Sequence, residues 1–135
     1  MTENLSLTVI LRSDFDSALE RVVAALKAQG FGVLTRIDVR ATMKEKLGID
    51  FRPYVILGAC NPPLAHRALT SDPAIGIMLP CNVTLEQVEE DEVIVSLVNP
   101  AAMLTAGRFG ESEELLSVGE EARTRIQNVV AQLED

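Results

Sequence analysis

Both cysteines, Cys60 and Cys81, and the only histidine, His66, fall within YVILGACNPPLAHRALTSDPAIGIMLPCNV, residues 54–83. Three chemistries suit these groups. In the first, Cys60 is a nucleophile, His66 is the base that activates it and Cys81 is a resolving thiol, an arrangement that requires a thiolate at ordinary pH. Asn61 favours this by placing a helix start, with its positive dipole end, next to Cys60. Pro62 and Pro63 oppose it, because they delete two of the N–H donors that would face the sulfur. In the second, Cys60, His66 and Cys81 ligate a transition metal such as zinc, with a fourth position open. The spacing C-x5-H-x14-C has no paired C-x2-C of the kind that marks structural zinc sites. In the third, both thiols fill small spaces in a packed core and do no chemistry. The three readings stand side by side.

The elements that must position these groups can be read from periodicity. Residues 5–11, LSLTVIL, alternate as a strand. Ser13 and Asp14 then offer the start of a helix whose apolar residues Phe15, Ala18, Leu19, Val22, Val23 and Leu26 recur at three and four, ending at Gly30. Residues 31–39 alternate again, with Phe31, Val33, Thr35, Ile37 and Val39 on the inner face and a mostly polar outer face. A short helix, 41–47, stops at Gly48.

The dense apolar run from Tyr54 to Leu57 predicts a strand buried on both faces. Asn61 caps a helix that opens on Pro62 and Pro63 and ends near Ser71. Asp72 and Pro73 turn the chain into AIGIMLPCNVTLEQV, which becomes the next strand, and Pro80 signals an edge, a bulge or a strand that begins only at Cys81. A hairpin around Glu89, Glu90 and Asp91 leads to EVIVSLVN. A short helix follows Asn99 and Pro100, then a flexible GRFGES link, and Ser112 caps a long helix with a stripe from Leu115 to Leu133. The expected architecture is α+β, with about five antiparallel strands, two long helices on one face, and a β-α-β-β-β-β-α core carrying short inserted helices.

With 135 residues the chain fits one domain, 1–135. A net charge of −8 disfavours nucleic acid and anionic membrane surfaces as partners, since both require clustered Lys and Arg. The N-terminal residues lack an export-signal pattern, so the cytoplasm, where thiols stay reduced, is the expected location. No glycine-rich phosphate loop or serine-nucleophile signature is present.

At YVILGACNPPLAHRAL and DPAIGIMLPCNV the sequence resembles the domain of unknown function family 302, small proteins with a TATA-binding-protein-like α+β fold. The resemblance implies homodimers and no established activity. It adds weight to a cluster of Gly58, Cys60, Asn61, Pro62, His66, Pro80, Cys81 and Asn82. The reading carried forward is a homodimeric binding module for a small ligand or soft metal beside Cys60, His66 and Cys81, with Gly58, Asn61, Pro62, Cys81 and Asn82 as ligand contacts. The alternatives are a thiol enzyme using Cys60 with His66, and a purely structural domain.

Overall fold

Leu7, Val9 and Leu11 alternate with Thr8 and Ile10, and in the computed structural model, which describes residues 4–134, they form β1 (Ser6–Arg12) with Val9 and Leu11 buried. The Asp14 carboxylate accepts the Ser17 N–H at 3.0 Å and starts α1 (Phe15–Ala28), whose stripe of Ala18, Leu19, Val22, Ala25 and Leu26 is buried. There follow β2 (Gly32–Asp38), α2 (Val39–Leu47), β3 (Tyr54–Cys60), α3 (Pro62–Ser71) and a 3-10 helix, Pro73–Met78. The chain continues with β4 (Cys81–Glu89), β5 (Glu92–Val98), α4 (Pro100–Leu104), a second 3-10 helix, Gly107–Glu111, and α5 (Glu113–Leu133).

The strands form one sheet in the order β1-β5-β4-β3-β2, antiparallel at every step. Register aligns Val9, Val95, Leu85 and Val55 in one row across four strands, and all four are buried. This row faces α1 and the second half of α5, where Ile126, Val129 and Leu133 complete the main core. The first half of α5 turns Leu115, Val118 and Ala122 into a separate cluster with Leu64 and Ala68 of α3, Ile75, Leu104 of α4 and Phe109. One long helix thus bridges two cores. The result is the α+β fold expected, with both long helices on one face of the sheet.

Four local expectations change. In β2 the register shifts between Val33 and Thr35, so Arg36 and Asp38 stand opposite Leu57 and Val55, on the helix side of the sheet. Thr35 and Ile37, expected inside, therefore point to the opposite face, because one extra residue in a bulge reverses the alternation. β3 is fully covered on one face and partly on the other: Val55, Leu57 and Ala59 are buried, whereas on the far face Tyr54 and Ile56 are half-buried and Gly58 lies buried under Thr35 and Pro80. Residues 73–78, expected to lead into the next strand, form a 3-10 helix instead, and the strand begins only at Cys81, the option that Pro80 signals. The GRFGES link is an ordered 3-10 turn anchored by buried Phe109.

Candidate functional site

The two cores do not close against each other completely. Between them, at the ends of β3 and β4, lies a pocket of about 250 Å³. Ala59, Cys60 and Cys81 supply the sheet side, Leu64 and Ala68 the α3 side, and Val118 and Ala122 the α5 side. Much of the room follows from side-chain size. Ala59, Ala65, Ala68 and Ala122 line the space where larger residues would fill it.

Asn61 fixes the floor. Its side-chain oxygen accepts the Leu64 N–H at 3.3 Å, which caps α3, and its amide nitrogen donates to the Gln29 carbonyl at 3.4 Å. Pro62 and Pro63 occupy helix positions whose N–H groups would have no partners, so they do not weaken α3. Gly30, at φ 84°, passes so close to Asn61 that a side chain there would meet its amide nitrogen at 2.9 Å. The loop after α1 and the start of α3 are thereby tied together beneath the pocket.

The two thiols both line the pocket, and both are free. Cys81 stands opposite Ala59 in register, and Cys60 opposite Gly32. By alternation the cysteines leave opposite faces of the sheet. Burial pushes the Cys60 thiol above its ordinary value. It pushes Cys81 up to about 11, with a smaller contribution from the charge of Cys60. Both thiols hold their protons at neutral pH, which is opposite to what an activated nucleophile needs.

His66 is elsewhere. It is exposed and lines a shallow groove with Arg67, Thr70, Ser71 and Glu114. The cause is helical geometry: at about 100° per residue, His66 is turned about 200° from Leu64, which faces the pocket. Its neighbour Arg67 ties α3 to α5 through Glu114 at 2.7 Å and Glu121 at 3.1 Å. Among the described residues no three of His, Cys, Asp and Glu stand close enough to hold a metal ion. The proposed set of Cys60, His66 and Cys81 is therefore not assembled.

Of the expected ligand contacts, Asn61 and Cys81 line the pocket, while Gly58, Pro62 and Asn82 do not. Gly58 lies beneath Thr35 and Pro80, Pro62 is exposed at the start of α3, and Asn82 is exposed opposite Gly58. Sequence reasoning missed Leu34, Leu104 and Val118. Leu34 was assigned to an outer face that the bulge redefines, and Leu104 and Val118 are far from the cysteines in the chain.

The family profile described as "Domain of unknown function DUF302" matches residues 7–133. The chain belongs to the DUF302 family. Among solved structures it is similar to the crystal structure of an uncharacterised conserved DUF302 protein from Bacillus stearothermophilus. The two share 27% identity and a TM-score of 0.84, over 98% of this chain and 100% of that one. No curated protein matches. The DUF302 family thus accounts for the architecture and leaves the pocket as the feature from which function must be argued. Among the described residues no helix is long and apolar enough to cross a membrane.

Proposed function

We propose that this DUF302 chain is a binding module that takes a small molecule into the pocket at the ends of β3 and β4. The observation that carries this is the lining of an opening of about 250 Å³ at the seam of two separately packed cores, where apolar side chains and the two thiols surround a single amide, that of Asn61. Concave apolar sites with a few convergent polar groups are where small ligands bind, and this one approaches the usual size range. Cys60 and Cys81 act as uncharged wall residues.

The thiol-enzyme reading finds less support, since burial raises both sulfurs and the imidazole is turned away. The test uses Cys60 as a reporter, because it lines the pocket and is only partly buried. Neutral small molecules are screened for a rise in Tm together with slowed alkylation of Cys60. A true occupant does both, and Ala65→Leu, which fills part of the pocket from a half-buried position, weakens both. The reading fails if compounds that raise Tm never shield Cys60.

Self-association as a homodimer, in the reducing environment of the cytoplasm, belongs to the same proposal. α2 is nine residues long and buries none of them, although helices this short are marginal in water on their own. Ile37, Leu47 and Ile49 are exposed on and beside it. A second copy covering this corner would stabilise the helix, and sedimentation equilibrium of the protein against Leu47→Glu reads it directly. A monomer at all concentrations would refute it.

A further inference from the structure

The pocket wall restricts what can enter. Among the described residues that line it, none is an acid, a histidine, a lysine or an arginine. Its one amide, that of Asn61, is already engaged on both sides by the Leu64 N–H and the Gln29 carbonyl. A charged or strongly hydrated group moved inside would lose its water and find nothing in exchange. Anionic metabolites and hydrated cations are disfavoured on that ground, and hydrocarbon is favoured.

Two further observations bear on shape. A volume of about 250 Å³ holds roughly eight non-hydrogen atoms at the roughly 30 Å³ that a water molecule occupies in the liquid. The apolar surface also does not stop at the mouth. Leu34, on the β2 bulge, and Leu69, on α3, both line the pocket, yet they remain 67% and 41% exposed. A compact occupant that ended inside would leave these two leucines wet. A chain that runs on past the mouth covers them.

We propose that the pocket receives the end of the hydrocarbon tail of a free amphiphile, whose next methylenes lie across Leu34 and Leu69 while its polar head stays in water. This rests on the small-molecule reading above and names the class of ligand.

A series of primary alcohols from butanol to undecanol tests it, with slowed alkylation of Cys60 by iodoacetamide as the readout. Each added methylene should tighten binding about fourfold, the effect of removing one such group from water. The gain should continue, on a shallower slope, beyond the roughly eight atoms that fill the cavity. Leu34→Ser combined with Leu69→Ser, both at exposed positions, should abolish the gain per methylene for the longer alcohols while the gain per methylene among the short ones persists.

Affinity that levels off once the cavity is full, with no response to the rim variants, would overturn the tail assignment while leaving the small-molecule reading intact. So would shielding of Cys60 by compact neutral compounds and by none of the alcohols. Shielding by neither class would overturn both proposals. Protection seen only when tails are presented in phosphatidylcholine vesicles would overturn the assignment to a free amphiphile.

Discussion

Replacing Gly58 with alanine adds one methyl group to β3 on the face turned away from the long helices, directly beneath the start of β4. A Cβ built there lies 2.8 Å from Cγ of Pro80 and also meets Oγ1 of Thr35, closer than real Cβ contacts come. The two obstacles differ. Thr35 is exposed on an edge strand and can turn about its first side-chain bond, whereas Pro80 is a closed ring held between Leu79 and the first residue of β4. Overpacking of this kind costs about 1–3 kcal/mol.

At about 2.1 cal/mol/K of unfolding entropy per residue, a chain of 135 residues loses about 3.5 °C of Tm for each kcal/mol. A loss of about 2 kcal/mol therefore lowers Tm by about 7 °C. Thermal unfolding followed by circular dichroism should show this for Gly58→Ala, and adding Thr35→Ala should restore only part of it, because the contact with Pro80 remains. Pro80 also lines the pocket, so the single variant should alter the alkylation rate of Cys60 as well. If Gly58→Ala melted within roughly 2 °C of the parent, the Pro80 ring would be free to move, and the account of how Pro80 packs against Gly58 would be wrong.

Asn61→Ala removes the α3 cap and the tie to Gln29 together, and should cost about 1–2 kcal/mol in urea unfolding. A loss below a few tenths of a kcal/mol would show that neither contact matters. The thiols give a pH dependence with a definite sign. Because the Cys81 pKa is raised in the folded state, that state keeps its proton where the unfolded chain releases it, so stability is intact below 9.0 and falls as pH climbs toward about 11. The loss attributable to Cys81 is on the order of 3 kcal/mol, and Cys60 adds to it in the same direction. Cys81→Ala should flatten the slope relative to the parent, and an unchanged slope would show that the thiol is not desolvated as described.

Where local rules act alone, the sequence was sufficient to read the fold. Asp14, Asn61, Asn99 and Ser112 each cap the helix that was expected to follow, and the α5 stripe from Leu115 to Leu133 is buried residue for residue. β2 failed because a single bulge between Val33 and Thr35 exchanges its faces, and nothing in GVLTRID marks the extra residue. His66 is a different kind of error. Its distance from Cys60 along the chain is short, yet once Asn61 is accepted as the cap, the helical period already places the imidazole on the side away from Leu64 and Ala68. The leucine at 64 was the better guide to the site.

What the cysteine cluster concealed is that the pocket is created by small residues. Ala65 and Ala68 on α3, Ala59 on β3 and Ala122 on α5 come from three separate elements, and each in isolation reads as ordinary helix or strand filling. Only their convergence makes a space. Gly119 adds to this by letting α5 approach α4 until a side chain at that position would lie 3.2 Å from the Ala101 backbone. That close crossing holds Leu104 of α4 beside α5 in the pocket lining, while Ala122, one turn further along α5, is too small to fill the space next to it. A single α5 sequence thus closes one core against α4 and leaves the seam with the sheet open. The position of the pocket follows from that alternation of tight and loose contacts along α5, with the thiols as bystanders in its wall.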